Sequence, residues 1–415
     1  LERDLTQSSG NGGLPVYLNA KEAAAELEVS LATLYAYVSR GLIRSESVGS
    51  SRSKKYRGDD VRTLVGRRRP AHHEERKKER ALSWGAPVMD SAITLISDDG
   101  LYYRGRSAIA LSEDASLETV ATLLWRAERN PFTERKTGLG KEILEAYRNT
   151  MEPLGVIERG MTVLPALAVR DPGAFTMSGP PVMKAGTRLM RVFAAAITDR
   201  PLGDDPLHEV LAGAWDRDDD GQTSDLVRRA LVLVADHELN ASTFTVRCVA
   251  STGTSVYYAV VAGLGAMKGY RHGGMTASAF AFLESLNPAA IETQVAEKLT
   301  RGEDIPGFGH PIYHNGDPRA TALLEAMSHH ARYAETATFL GDLIKVVETM
   351  TGLAPNIDLI LAGFAHRLGL GPEPAMALFA LGRTAGWIAH AIEQASSGQL
   401  IRPRARYIGE PVKGL

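Results

Sequence analysis

The sequence predicts a mainly α-helical protein in two parts, a large helical body preceded by a small helix-turn-helix unit. Long apolar-periodic segments such as Leu117–Trp125 and Leu226–Ala235 dominate the chain, and alternating strand runs are few. The first 80 residues differ from the rest in composition and charge. At 415 residues, 44% hydrophobic and 23% charged, the chain has an ordinary globular composition and is too long for one compact core. Fibrous and disordered classes are excluded.

Net charge is −2, yet residues 1–80 carry 16 Lys/Arg against 11 Asp/Glu, an excess of +5 that leaves −7 for residues 81–415. A basic front end is thus joined to an acidic body, and clustered cations favour an anionic partner there. The single cysteine, Cys248, excludes an intrachain disulfide and a Cys-cluster zinc site. It fits a reducing cytosol and reads as a small buried hydrophobe. No signal-peptide succession opens the chain, so the expected location is cytoplasmic. Residues 248–267 form twenty residues without a formal charge, long enough to cross a bilayer. Their Ser, Thr and Gly content predicts a buried helix with a small-residue face instead, and no membrane partner.

Residues 1–13 have a flexible-tail composition. Asn19 caps a helix with Glu22 at its third position, followed by a turn at Glu28 and Val29. Ser30 caps a second helix, in which Leu31, Leu34, Tyr35 and Val38 form the inner face and Ala32, Thr33, Ala36, Tyr37 and Arg40 point outward. Two short helices joined this way form a helix-turn-helix, whose second member can enter a major groove. Residues 44–57, rich in Ser, Gly, Lys and Arg, predict a hairpin-like wing before a helix at residues 59–65. The wording of residues 17–24, 33–43, 55–57 and 60–61 resembles the MerR and excisionase type of winged helix-turn-helix. That resemblance implies a module over residues 14–66, with Thr33, Tyr37 and Arg40 toward DNA and Arg52, Lys54, Lys55 and Arg57 near phosphates. The alternative is a small helical module that docks on protein. Residues 67–82, with Arg67-Arg-Arg-Pro70, form a charged linker.

Asp216, Asp218, Asp220 and Gly221 match the start of a calcium loop, but Val227 stands where the bidentate Glu belongs. An acidic surface turn is expected, and no metal site. Chemistry concentrates further on, in Asp236-His-Glu-Leu-Asn240, Lys268-Gly-Tyr-Arg-His-Gly-Gly274, Gly307-Phe-Gly-His310, Asp317-Pro-Arg319, Pro355-Asn-Ile-Asp358 and Gly382-Arg383. A buried ionisable group needs a partner, so these residues either satisfy one another or await a ligand. Singly, each has a structural explanation: a helix cap, a satisfied core histidine or an ion pair. Together, several His, one Asp and several Arg describe proton donors and a base around a polyanionic substrate.

The order and wording of these motifs resemble the citrate synthase family, from about Thr94 to Tyr407, and include Leu101-Tyr-Tyr-Arg-Gly105, Gly386-Trp-Ile-Ala-His390, Glu393-Gln394 and Arg402-Pro-Arg404. The resemblance does not separate citrate synthase from 2-methylcitrate synthase. It implies a large helical domain over residues 83–273 and 366–415 and a small helical domain over 274–365 that closes on binding the oxo-acid. It further implies condensation of an acyl-CoA with oxaloacetate, then thioester hydrolysis. The CoA thioester would be a co-substrate, with no permanently bound cofactor.

By residue-by-residue matching, Asp358 is the base, His272 the donor to the thioester oxygen, and His310 the donor to the acceptor carbonyl. His237, Arg319 and Arg383 match the oxo-acid site, and Arg402 the arginine supplied across a homodimer interface. Gly307, Phe308 and Gly309 match the loop that grips CoA. The sequence departs from the family where Arg271 precedes His272 in place of Pro, where Met275-Thr276 replaces Ala-Asn, where Pro311 follows His310 in place of Arg, and at Arg106-Ser107. Two alternatives to catalysis stay open: a metabolite-sensing DNA-binding regulator built on a synthase-like body, and a degenerate synthase that binds without turnover.

Overall fold

A computed structural model describes residues 17–27, 29–47, 54–64, 89–97, 100–133, 138–313, 316–405 and 407–410. The expected tail at 1–13, the turn residue Glu28, Arg52, Val65 and the charged linker at 67–82 lie outside the described residues. The chain divides into two compact units, Leu1–Asp90 and Ser91–Leu415.

The first unit runs β1 (Tyr17–Leu18), α1 (Ala20–Glu26), α2 (Leu31–Ser39), β2 (Ser45–Ser47), β3 (Lys54–Arg57) and α3 (residues 58–64). Both helix starts are set locally. Asn19 Oδ1 accepts from the Lys21 and Glu22 amides, while Glu22 accepts from the Asn19 amide at 2.8 Å. Ser30 Oγ accepts from the Thr33 amide at 3.2 Å. Such caps contribute about 1 kcal/mol each. The sheet is antiparallel in the order β1-β3-β2, with Leu18 opposite Tyr56 and Glu46 opposite Lys55. The core comprises Leu18, Ala23, Ala24, Leu27, Leu34, Tyr37, Ile43, Tyr56 and Val61.

That core corrects the expected face of α2. Tyr37 is buried, whereas Leu31 and Tyr35 are 40% and 51% exposed. The apolar stripe starts at Leu34 and continues at i+3 and i+4 through Tyr37 and Val38, α2 packing against α1 while Leu31 in its first turn stays outside the core. Tyr37 therefore cannot face DNA as expected, and Tyr35 takes the outward position.

The body opens with an antiparallel meander of β4 (Thr94–Ser97), β5 (Gly100–Tyr103) and β6 (Arg106–Ser107). Helices follow: α4 (Ala108–Asp114), α5 (Leu117–Trp125), α6 (Gly138–Met151), α7 (Val156–Arg170), α8 (Gly179–Thr198), α9 (Leu207–Trp215) and α10 (Gln222–Leu233). Next come α11 (Ala241–Ala250), α12 (Val256–Met267), α13 (Gly274–Ser285), α14 (Ile291–Thr300), α15 (Pro318–His329), α16 (Ala334–Thr351), α17 (Ile357–Leu368) and α18 (Glu373–Ser397). The uncharged run at 248–267 is two helices rather than one. Ser251 and Thr252 bond back to the carbonyls of Cys248 and Val249, and Gly253 at φ +79° turns the chain. Cys248 is half-buried, not fully so. Asp216 of the acidic turn is held by Arg332 at 2.7 Å and Thr223 at 2.6 Å.

Helix α18 is the axis of the body, touching α5, α7, α8, α10, α11, α12, α13 and α17. Its length and apolarity would suffice to cross a membrane, but 89% of its most apolar window is buried in the protein, as in a core helix. Gly386 permits its closest approach: a Cβ there would lie 2.5 Å from the Ala235 carbonyl. That approach brings Arg383 and His390 against the segment that carries His237.

Candidate active site

The site is assembled from six chain segments: the one after α10, the turn before α13, the loop of residues 305–313, the first turn of α15, the first turn of α17, and α18 with Arg383. Asp317 joins two of them. It caps α15 by accepting from the Arg319 amide, accepts from Arg319 Nε and Nη2 at 2.9 and 2.8 Å, and accepts from the Ile357 amide at 3.0 Å. Burial would raise this carboxyl, but Arg319 overrides it and holds it below the usual range. One carboxylate thus orients Arg319, itself only 3% exposed, and the backbone beside Asp358.

Asp358 stands in the first turn of α17, behind the cap Asn356. Desolvation pushes its carboxyl above the ordinary value; the hydroxyl of Thr276 on α13, which donates to Oδ1, and the charge of Arg319 oppose the rise. A carboxylate so placed is more basic than one in water, as proton abstraction from a weak carbon acid requires.

The three histidines are neutral. Burial, then Arg319 and Arg383, hold His237 well below the usual imidazole value. Burial, then Arg383, lowers His272 to about 4; burial, then Arg319, lowers His310 to about 4. The local bonds set their proton positions. His310 Nδ1 accepts from the Ile312 and Tyr313 amides at 3.1 and 3.4 Å, so its proton sits on Nε2, free to donate. His272 Nε2 lies 2.7 Å from the Ser242 hydroxyl, which also reaches Asn240 Oδ1 at 2.8 Å. A hydroxyl has one proton; given to Asn240 Oδ1, it leaves the Ser242 oxygen to accept from His272 Nε2–H.

His237 is the hub. Its Nε2 lies 3.0 Å from the Tyr313 hydroxyl, its ring meets that of His310 edge-on at 5.4 Å, and Arg319, Arg383, His310 and His272 all act on its charge. Arg383 donates from Nε to the Val234 carbonyl at 2.9 Å and lies over the Phe379 ring at 4.7 Å. Burial lowers its guanidinium to about 10. Its Nη1 is buried and, among the described residues, has no hydrogen-bond partner, the condition of a group that awaits an anion.

The structure therefore brings together His237, His272, His310, Arg319, Arg383 and Asp358, as the sequence indicated. Arg402 is exposed. Gly307 and Gly309 adopt φ +85° and +76°, and a Cβ on Gly307 would lie 2.8 Å from that of Leu359. The Gly309 amide donates to Ala354 and the Asn356 amide to Gly307, so this loop is fixed against the approach to α17; the Phe308 side chain is buried. Sequence reasoning missed Tyr313, Ser242 and Thr276 as parts of the site, and gave Asp317, present in its motif, no role of its own. Each lies within five residues of a predicted one, and Thr276 was visible as a departure from the family pattern.

Residues 81–404 match the citrate synthase, C-terminal domain family. The chain is 30% identical to citrate synthase 2 of Bacillus subtilis (strain 168), over 78% of its own length and 94% of the relative's. It is also 30% identical to 2-methylcitrate synthase 1 of Corynebacterium glutamicum, over 75% and 90%. Among solved structures it resembles a ternary complex of carboxymethyl coenzyme A and oxaloacetate with citrate synthase from the thermophilic archaeon Thermoplasma acidophilum. The TM-score is 0.65 at 25% identity, covering 80% of this chain and 96% of that one. With the helical body, its buried cluster of His, Arg and Asp and these matches in agreement, the chain belongs to the citrate synthase family and is a transferase of the citrate synthase or 2-methylcitrate synthase type.

Proposed function

We propose that the body condenses acetyl-CoA, or propionyl-CoA, with oxaloacetate and hydrolyses the resulting thioester, giving citrate or 2-methylcitrate and CoA. The observation that carries this reading is a basic carboxylate, Asp358, clustered with neutral histidines and buried arginines, with the donor proton of His310 set on Nε2 by its neighbours. Arg319, Arg383 and His237 hold the oxo-acid and its carboxylates. Asp358 takes the α-proton of the thioester while His272 donates to the oxygen that becomes enolic. His310 donates to the acceptor carbonyl, and the new carbon–carbon bond forms between them. A donor aimed at such a developing oxyanion contributes about 3 to 4 kcal/mol. Gly307, Phe308 and Gly309 contact CoA, residues 274–365 close as the small domain over residues 83–273 and 366–415, and Arg402 reaches the site of a partner subunit in a homodimer. The single, unpaired cysteine supports a cytoplasmic location.

The test is release of free CoA from acetyl-CoA or propionyl-CoA with oxaloacetate. Turnover with one of them supports the reading and sets the acyl preference; none with either, in folded protein, overturns it and returns the sensing or degenerate alternatives.

For the first unit we infer a winged helix-turn-helix that binds DNA through Thr33, Arg40, Lys54 and Lys55, with Arg52 as a further phosphate contact. It is favoured by the exposure of Arg40, Lys54 and Lys55 beside two capped helices. Binding to duplex DNA that weakens steeply with salt is expected; affinity indifferent to salt would contradict phosphate contact.

A further inference from the structure

Thr276 is the polar side chain by which α13 touches Asp358. It is 1% exposed, and its hydroxyl donates to Asp358 Oδ1, linking α13 to α17. Several helical threonines of the body return their hydroxyl to the carbonyl four residues back, as Thr122, Thr162, Thr245 and Thr384 do, while Thr223 holds the Asp216 carboxylate. Thr276 makes an interhelical bond to a carboxylate instead. Asp358 Oδ2 accepts no hydrogen bond from a described residue. The other charged groups that face the carboxylate are Arg319 and Asp317 at the head of α15 and Arg383 on α18; α16 presents apolar Leu340 to α17.

We propose that Thr276 is a positioning residue for Asp358: its hydroxyl ties down Oδ1 and leaves Oδ2 as the atom that receives the α-proton. This rests on the condensation reading. In that step the carbon–hydrogen bond breaks, the proton bonds to Oδ2, and the electron pair moves into the enol with negative charge toward the thioester oxygen. Two consequences follow. The tie fixes the plane of the carboxylate against the substrate, and a hydroxyl that donates to the charged form keeps the base ionised at a site where burial favours protonation.

The experiment compares kcat against pH for wild type, Thr276→Val and Thr276→Ser, with oxaloacetate affinity measured alongside. Valine keeps the shape and lacks the hydroxyl. It is expected to lower kcat about tenfold or more at neutral pH and to move the acid limb upward by about one pH unit, with oxaloacetate affinity unchanged. Serine is expected to restore both the rate and the limb. A merely structural threonine would leave the limb in place, and superimposed profiles for valine and wild type would overturn the inference. Should the valine variant not fold, Thr276→Ala supplies the hydroxyl-free arm. A wild type that releases no CoA removes the condensation reading itself, a result distinct from an active wild type whose limb ignores Thr276.

Discussion

The two units place their cations in opposite ways. In the first, Arg40, Lys54 and Lys55 stand in solvent around a small core. In the body, Arg247, Arg319 and Arg383 are 3%, 3% and 1% exposed. A solvated cation acts over roughly a Debye length of 8 to 10 Å and reads charge density more than shape. A buried guanidinium costs several kcal/mol unless paired, so it must be held in advance and discriminates by geometry. The body shows that pairing: Asp317 grips Arg319, and Glu393, His390 and Gln394 surround Arg247. Its excess of acidic residues therefore carries no information about its substrate, whereas the surplus of the front end bears directly on what it can bind.

The largest effect expected from breaking the body's arrangement is at the base. Asp358→Asn should cost about 10² to 10⁴ in turnover while oxaloacetate binding, measured calorimetrically, stays near wild type. A variant as active as wild type would remove Asp358 from the chemistry. Next is Asp317→Ala, which leaves Arg319 buried without its partner and unties the start of α17. A loss of about 3 to 5 kcal/mol in stability is expected, read as a lowered denaturation midpoint, with oxo-acid affinity lost as well. Were Asp317 dispensable for both, the pre-paired arginine would not be the feature that distinguishes the body.

Acid should separate the units. His272 and His310 are held at about 4 against a usual 6.5, chiefly by burial. Between those values the unfolded chain binds more protons than the folded one, so stability is full above about pH 6.5 and is lost as pH falls toward 4. Each contributes about 2 to 3 kcal/mol over that window, and His237 acts in the same sense. Asp358, raised by burial, opposes them in part. Residues 1–71 contain no histidine, and Asp60, held at about 2 first by its bond with Arg44, titrates below the window. Hydrogen exchange on the whole chain from pH 7.5 to 5 should show the body's protection falling while that of α1 and α2 stays level; equal losses in both would refute the assignment.

How much of this was legible in sequence follows the same division. The caps at Asn19 and Ser30, the helical body and the cluster of His237, His272, His310, Arg319, Arg383 and Asp358 were all readable, because capping is local and the motifs are compact. The supporting bonds were not, since each depends on distant segments meeting: Thr276 to Asp358 spans 82 residues and His237 to Tyr313 spans 76. The break at 251–255 was written in its Ser, Thr and Gly, but an uncharged stretch of twenty residues masked it. The face of α2 failed for a subtler reason, because a helix of nine residues with apolar side chains at 31, 34, 35, 37 and 38 fits two stripes. Only the packing of α2 against α1 chooses between them.

That choice gives the mildest test, and a contrast of two tyrosines two residues apart. Tyr37→Ala removes a ring from a core of nine residues and should destabilise the first unit by about 3 kcal/mol, because the cavity cannot collapse far in so small a unit. Tyr35→Ala removes a ring that is half in solvent and should stay within about 0.5 kcal/mol of wild type. Exchange protection of α1 and α2 in the whole chain reads both. The reverse order would restore the stripe through Leu31 and Tyr35 and turn Tyr37 back outward. With the order expected here, any effect of Tyr37→Ala on DNA binding is a loss of fold and not of a contact, so Arg40, Lys54 and Lys55 become the substitutions by which that interface should be judged.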